Sequence, residues 1–344
     1  MRTPWLGACA LLPLGALSGC DQTLPAYGDV TSIIAVMAPD VWASVGDDLN
    51  RGLEPTVLTV RDERTFTVTY QDPSGPAWRD LRRLRQLLRV GTGDEAWIQP
   101  ALDALPVPFT DPGLYRAYDV WGSGQQAVIV LSEPGREVET VTAYLPDIHR
   151  MLDAQFRQYA VYRMFLTGPD SALADTLVRT AGFSVIVPNV YDWERGDSTY
   201  TFRNDNPDPS ELIRQVTITW RSASSGGSPE TGAVLAWRAN LAASYREPQD
   251  VDLSMMQTGR VTGPRWEGLQ IQALWVNPPA QGWPAAGPFI TRWVSCGEQG
   301  RTYLLDAWLY APGKRKYEYM IQLETILDSF RCDGPAGATA RPAP

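Results

Sequence analysis

Three apolar segments near the C-terminus constrain the fold of this chain most strongly. They read WEGLQIQALWVNP, FITRWVSC and RTYLLDAWLYAP, and glycine, proline or polar residues separate them. Short segments rich in β-branched and aromatic residues, divided by turn residues, are typical of neighbouring antiparallel strands. We therefore predict an antiparallel meander. A helix over KRKYEYMIQLETILDSF should follow it, with Tyr319, Leu323, Ile326 and Phe330 on its buried face.

The rest of the chain shows strand patterns in hairpin-like pairs, with helical patterns between them. The pairs fall at 56–70 and 115–131, and the longest helical pattern runs over 136–166. A parallel sheet would show a regular alternation of strand and helix, which is absent here. The pattern favours an α+β fold with antiparallel sheets packed by helices.

An arginine-rich segment, PAWRDLRRLRQLLRV, is predicted to form a helix that Pro76 opens. Trp78, Leu81, Leu84 and Leu88 would form its buried stripe. The other faces then carry the arginines, which we interpret as a solvated surface; the alternative is a basic docking face. These arginines are Arg79, Arg82, Arg83, Arg85 and Arg89.

The N-terminus resembles a secretory signal. Arg2 precedes an uncharged apolar stretch that is too short to span a bilayer, and the next residues read LSGC. LSGC resembles the lipobox of bacterial lipoproteins, in which the cysteine thiol receives a diacylglyceryl group. Residues 1–19 are thus predicted to be a signal peptide, and Cys20 to join the chain to a lipid bilayer. The alternative is an ordinary signal cut nearby, which would leave Cys20 as a free thiol.

The chain length predicts more than one domain, because 344 residues exceed what one domain usually holds. TGPD at 167–170 is the clearest boundary signal. We predict a lipidated linker, two α+β domains and a disordered tail rich in alanine and proline. Their bounds are 20–30 for the linker, 31–167 and 168–332 for the domains, and 333–344 for the tail.

The cysteine and histidine content limits the kinds of catalytic and metal sites that this chain can form. Of four cysteines, Cys9 leaves with the signal and Cys20 is lipidated, so Cys296 and Cys332 remain. In an oxidising compartment these two are predicted to form a disulfide; two buried free thiols are the alternative. The single histidine, His149, excludes sites that need more than one imidazole. A net charge of −9 argues against a nucleic-acid partner.

Three stretches together resemble a known family. They are AVMAPDVWASVGDDL, AGFSVIVPNVYDWER and GPFITRW…AWLYAPGKRKYEYMIQLETIL. In this order they are similar to the bacterial lipoprotein family called domain of unknown function 4837. The resemblance covers roughly residues 28–331 and implies an envelope lipoprotein, with no catalytic residues to transfer. Separately, the meander and its helix are similar to the end of the PsbP/Mog1-like sandwich, a fold analogy without functional meaning.

Common motifs of catalytic and cofactor-binding sites are missing from the sequence. The sequence has no P-loop, GxGxxG, CxxC, HExxH or GxSxG motif. NDNPDP at 204–209 offers oxygen ligands for calcium, but its spacing favours an ordinary turn. We expect no catalytic residues, no metal site and no cofactor.

Tryptophan is the strongest compositional oddity. Four tryptophans at 266, 275, 293 and 308 fall on predicted strands and should face a core. Trp283 instead lies in NPPAQGWPAAGPF, whose prolines and glycines exclude regular structure. Trp283, followed by Phe289, is therefore the candidate contact site. The alternative is that Trp283 caps the core.

These observations predict a lipoprotein of the bacterial cell envelope, with its folded body outside the cytoplasm. The choice between inner and outer membrane stays open. We expect a non-enzymatic module that binds an envelope protein or ligand, or that serves an assembly machine. The alternative is a hydrolase that acts on envelope polymers through two carboxylates.

Overall fold

The structure is a computed structural model that describes residues 24–109, 112–223, 229–281 and 284–333. The predicted signal peptide, Cys20 and the tail after Asp333 lie outside the described residues, as does Trp283. The lipid anchor therefore stays a prediction. No described helix is both long and apolar enough to cross a bilayer.

The first lobe comprises residues 24–164. Its long helix α4 confirms the helical pattern predicted over 136–166. The elements are β1 (Ser32–Val36), α1 (Pro39–Leu53), β2 (Thr56–Val57), β3 (Glu63–Arg64), β4 (Thr67–Gln71), α2 (Trp78–Leu81), β5 (Gln86–Thr92), α3 (Gln99–Asp103), β6 (Gly113–Tyr118), β7 (Gln126–Ser132) and α4 (Glu137–Met164).

The first sheet has the strand order β4-β1-β5-β7-β6. Only β6 and β7 pair antiparallel; the other three pairings are parallel. The α+β class is confirmed, but the predicted antiparallel pairing is wrong for most of this sheet. Strands β5 and β7 are buried along their whole length on both faces, and β1 is buried except at Ser32, which is typical of parallel strands.

The predicted helix over 76–90 is also wrong. Only one turn, α2, is helical, and Gln86–Thr92 forms the central strand β5. Leucine, arginine and glutamine favour helix in isolation, but these preferences are worth under about 1 kcal/mol per residue. Burial of a whole strand between two layers outweighs them.

Helices α1 and α4 cover one face of the first sheet and form its main core. α3 and half-buried tryptophans cover the opposite face.

The second lobe comprises residues 165–333. Its first helix has residues at both ends that are typical of helix termini, since Asp170 caps it by accepting the N–H of Leu173 at 2.9 Å, and Gly182 ends it with a φ of 78°. The elements are α5 (Ser171–Ala181), β8 (Asp192–Arg195), β9 (Thr199–Asn204), β10 (Ile213–Ser222), α6 (Thr231–Ala242), β11 (Asp250–Gly263), β12 (Trp266–Val276), β13 (Ala286–Cys296), β14 (Arg301–Tyr310) and α7 (Tyr317–Asp328).

The second sheet has the order β11-β12-β13-β14-β10-β9-β8, and all its pairings are antiparallel. The predicted meander is therefore confirmed. The apolar segment FSVIVP, which follows α5, is not a strand and joins other backbone segments through single bridges at Ser184 and Pro188. Phe183, Val185 and Val187 are nevertheless buried, so its apolar pattern reflects core packing.

The two faces of this sheet have separate cores. α5 and α7 pack on one face, and α6 packs on the other. The tryptophans at 266, 275, 293 and 308 are all buried, as predicted from their strands.

Cys296, at the end of β13, forms a disulfide with Cys332, with Cα atoms 6.0 Å apart. The predicted bridge is thus confirmed, and it ties the segment after α7 to the sheet.

α7 belongs to both cores. Tyr317 and Ile321 pack with α1 and α4 in the first lobe. Leu323, Ile326 and Leu327 pack with the second sheet. One helix therefore contributes apolar side chains to two cores, which fixes the lobes against each other.

Candidate functional site

Phe289 is not a surface residue. It lies in β13 with 0% exposure, and the guanidinium of Arg238 stands 3.6 Å from its ring centre. The sequence-based idea that Phe289 contributes to an exposed contact site is therefore wrong. Its position at the end of the proline-rich segment NPPAQGWPAAGPF suggested exposure, but strand β13 begins at Ala286 and carries Phe289 into the core. Trp283 lies outside the described residues.

A cleft between the lobes has a volume of about 660 Å³. We call it the inter-lobe cleft. The β2–β3 connection supplies one wall, and the ends of β12, β13 and β14 supply the other. Its lining residues are Val60, Arg61, Asp62, Glu63, Val276, Asn277, Pro284, Ala285, Ala286, Tyr310, Ala311, Pro312, Gly313, Lys314, Arg315 and Lys316.

The charge of the cleft differs from that of the chain. Four cations and two acids line it, whereas the whole chain has a net charge of −9. Both lysines of the sequence, Lys314 and Lys316, are among them. The lining residues thus carry two more cations than acids on an acidic protein, although Lys314 and Arg315 also pair with Glu211 and Asp29, which lie outside the lining.

Two of the charged residues hold the lobes together. Arg315 donates hydrogen bonds to the carbonyl oxygens of Arg64 at 2.8 Å and Thr65 at 3.2 Å, and to the hydroxyl of Thr31. Glu63 accepts the N–H groups of Lys316 at 2.7 Å and Tyr317 at 2.9 Å. Glu63 thereby caps the N-terminus of α7 from the opposite lobe, where a negative charge is favourable.

The remaining cations have donors to spare. Lys314 pairs with Glu211 at 3.1 Å. Lys316 uses one ammonium hydrogen on the carbonyl of Lys314 at 3.0 Å, and its other two donors have no partner within the described ranges. The exposed guanidinium of Arg61 has no partner in the part of the chain that the structure describes. Arg61 and Lys316 can therefore bind an anionic group at the cleft.

A second polar cluster lies inside the second lobe. Arg238 of α6 and Asp306 of β14 form an ion pair at 2.9 Å, and both side chains have 0% exposure. Asp306 also accepts hydrogen bonds from Tyr245 at 2.9 Å and from Thr291. Burial and the charge of Asp306 raise the pKa of Tyr245 well above its usual value. Because the cluster is sealed, it fixes α6 on the sheet and offers no access to a substrate.

The first lobe also contains a buried arginine. Arg89 of β5 has 0% exposure, and none of its guanidinium nitrogens has a hydrogen-bond partner among the described residues. The rings of Trp78, Trp97 and Trp121 surround it at 5.5, 5.1 and 4.8 Å. Burial lowers its pKa to about 9, against a smaller opposing effect of Glu95. The guanidinium of Arg89 thus interacts with the faces of aromatic rings where a buried arginine usually pairs with a carboxylate.

The other residues considered from sequence have structural partners. His149 packs edge-on against Phe66 at 6.0 Å. Asp205 pairs with Arg203 at 3.0 Å, and Asp208 accepts the N–H of Ser210 at 2.8 Å, so the NDNPDP segment is an ordinary turn. Within the described ranges, no group of three or more potential ligands could hold a metal ion.

Sequence reasoning missed both the cleft and the buried cluster. A signal existed for the cluster, since Asp306 interrupts the apolar strand LLDAWLY. A sequence signal for the cleft also existed, since the chain has two lysines and both lie in the short segment Lys314–Lys316. The position of Arg61 in the opposite wall of the cleft could not be predicted from the sequence, because it depends on how one lobe packs against the other.

The C-terminal part of the chain is similar to a known protein family. Residues 250–329, from β11 to α7, match the model of a family described as Domain of unknown function (DUF4837). This confirms the resemblance over that region. No curated protein matches the chain.

Among solved structures, the chain is similar to two Mog1 proteins. One is a single-residue mutant of protein Mog1, with 8% identity and a TM-score of 0.31, covering 44% of this chain and 92% of that chain. The other is the Ran-binding protein Mog1p of Saccharomyces cerevisiae, with 9% identity and a TM-score of 0.30, covering 44% and 90%. At these TM-scores the likeness supports no inference about function.

Proposed function

We propose that this chain is a lipid-anchored lipoprotein of the bacterial cell envelope and acts as a non-enzymatic binding or assembly module. The LSGC motif supports the anchor, which would be acylated Cys20. The inter-lobe cleft would be the binding site. The observation that carries this part is that Arg61 and Lys316, which line the cleft, have cationic donors without a partner among the described residues.

The lining of the cleft indicates the chemistry of the ligand. Val276, Ala285, Ala311 and Pro312 form an apolar wall beside the cations. A ligand that fits both parts has an apolar body and an acidic group, either a carboxylate or a phosphate. An envelope protein with an acidic segment and a free small molecule share this chemistry.

The alternative function is a carboxylate-based hydrolase acting on envelope polymers. Such an enzyme needs two carboxyl groups about 5–10 Å apart in a cleft. The cleft has two acids, Asp62 and Glu63, but Glu63 already accepts two backbone N–H groups of α7. A carboxylate held as a helix cap is poorly placed to take up or release a proton, so the cleft favours binding.

Crosslinking and pull-down of the intact lipoprotein from membranes tests the proposal. The Arg61→Glu variant reverses one free charge in the cleft, and Arg260→Glu makes the same change at an exposed arginine of β11. We expect Arg61→Glu to lose the bound protein or small molecule and Arg260→Glu to keep it. Retention by both variants would contradict the cleft assignment.

Further experiments test the contact at Trp283, the hydrolase alternative and the lipid anchor. Trp283→Ala in the same pull-down tests the predicted contact of that residue. Purified envelope polymers incubated with the protein test the hydrolase, since an enzyme would release fragments. For the anchor, Cys20→Ser should release the protein from membranes or leave it as an uncleaved precursor.

A further inference from the structure

The N-terminal end of the described chain is fixed to one edge of the first lobe. Ala26 donates to the carbonyl of Ser123 at 2.9 Å, and Ser123 donates to that of Leu24 at 3.1 Å. Tyr27 exchanges backbone hydrogen bonds with the 83–85 segment, at 3.2 and 3.1 Å. Residues 24–27 therefore lie between the β6–β7 turn and the segment that follows α2.

Helix α2 and the segment that follows it carry a cluster of arginines, which we call the arginine rim: Arg79, Arg82, Arg83 and Arg85. Arg79 and Arg82 are exposed and have no partner among the described residues. The other two bond to the N-terminal segment itself. Arg83 donates to the carbonyl of Pro25 at 3.1 Å, and Arg85 to that of Gly28 at 3.1 Å.

The charge of the rim is uncompensated. Its one neighbouring acid in sequence is Asp80, and none of the four arginines forms an ion pair within the described residues. Half-buried Trp78 and Trp121 meet edge to face at 5.6 Å beside the rim. Arginine and tryptophan together are the side chains enriched where proteins meet the lipid–water interface.

The length of the tether places this rim near the membrane. Leu24 follows Cys20 by four positions in the sequence, with three residues between them. A fully extended chain covers about 3.6 Å per residue, so the two Cα atoms are at most about 14 Å apart. If Cys20 is acylated, the start of the folded body therefore lies within about two Debye lengths of the headgroups.

We propose that the arginine rim, Arg79, Arg82, Arg83 and Arg85, is a docking surface for the anionic headgroups of the membrane that holds the anchor. Guanidinium groups bind lipid phosphates, and the neighbouring tryptophans settle at the interface. The contact orients the first lobe on the membrane surface. The proposal rests on the lipid anchor proposed above, but it does not depend on what the inter-lobe cleft binds.

The test uses the full-length lipoprotein reconstituted into two kinds of vesicle, phosphatidylcholine alone and equal parts phosphatidylcholine and phosphatidylglycerol. Amide hydrogen exchange is measured over residues 78–85, with residues 192–204 of the second sheet as an internal reference. We expect amide exchange over residues 78–85 to be slower in the vesicles that contain phosphatidylglycerol than in phosphatidylcholine vesicles. High salt should restore fast exchange in the anionic vesicles.

Matched variants make the test specific. The double variant Arg79→Gln with Arg82→Gln removes two exposed arginines of the rim. Arg246→Gln with Arg260→Gln makes the same charge change at two exposed arginines of the second lobe. Each arginine near an anionic surface contributes about fivefold to the contact, so the rim variant should weaken it about 25-fold. The second-lobe variant should keep it.

The outcomes separate the two proposals. Mass spectrometry of the N-terminal peptide and flotation with vesicles after a salt wash report the anchor. A lipidated protein that floats but shows equal exchange in both vesicles would overturn the rim and leave the anchor standing. Equal loss of protection in both double variants would also overturn it. An unlipidated protein that does not float would overturn the anchor and, with it, the rim.

Discussion

The carboxylate of Glu63 accepts the backbone N–H of Tyr317 at 2.9 Å, so a residue of the first lobe caps the helix that enters both cores. The side chain of Lys316, the N-cap residue of α7, makes no cap hydrogen bond, and Glu63 takes over that role from another lobe. Assembly of the lobes and formation of α7 are therefore coupled at the floor of the inter-lobe cleft.

Removal of this cap should destabilise the fold. Glu63→Ala leaves two N–H groups of α7 without their acceptor, and the loss of a helix cap costs about 1–2 kcal/mol. We expect the midpoint of urea unfolding to fall by the corresponding amount. Asp62→Ala, at the exposed neighbouring acid, is the matched control and should leave the midpoint unchanged.

The two fully buried arginines should respond differently to the same substitution. Arg238→Met leaves the carboxylate of Asp306 buried beside no cation, a change that costs about 3–5 kcal/mol. Arg89→Met strands no carboxylate partner, since its contacts are tryptophan rings, and should cost less than about 2 kcal/mol. Chemical unfolding measures both. Adding Asp306→Asn to the Arg238→Met variant should restore part of the lost free energy of unfolding. No recovery would show that the unpaired carboxylate of Asp306 is not the cause of the loss.

The disulfide should add stability by restraining the unfolded chain. Its two cysteines are 36 residues apart, and a closed loop of that size contributes about 3–4 kcal/mol in the chain-entropy model. The double variant Cys296→Ser with Cys332→Ser should lose this amount in thermal or urea unfolding. A reducing agent should lower the stability of the original protein to the same level and leave the variant unaffected.

Alkaline pH should destabilise the protein partly through Tyr191. Burial raises the pKa of Tyr191 to about 12, while an unfolded tyrosine ionises near pH 10. Below pH 10 the hydroxyl is protonated in both states, so stability is unaffected. Between pH 10 and 12 ionisation favours the unfolded state, and about 2–3 kcal/mol is lost in total.

The variant Tyr191→Phe removes this titration. Its stability should fall less steeply than that of the original protein as the pH rises above 10, with no loss at neutral pH because the buried hydroxyl has no partner among the described residues. Tyr162→Phe, at an exposed tyrosine, should keep the original slope. Identical slopes in all three proteins would refute the role of Tyr191.

The meander, α4, α5 and α7 could be predicted because their patterns are local. Period-two and period-3.6 spacing, the Asp170 cap and Gly182 identify them without knowledge of the partners. The segment QLLRV could not be assigned in this way, because apolar runs buried on both faces carry no period that separates strand from helix. Parallel pairing and the inter-lobe cleft depend on contacts between distant segments, which spacing in one sequence does not reveal.

The proposed binding role is tested most directly by photocrosslinking from the cleft in intact cells. A photoreactive phenylalanine analogue replaces Val60, which lies 43% exposed in the cleft wall, and a control replaces Leu253, which is 55% exposed on β11. We predict a discrete adduct from the position of Val60 that Arg61→Glu suppresses, and none from the position of Leu253. An adduct that is absent at Val60, or insensitive to Arg61→Glu, would contradict a binding role for the cleft.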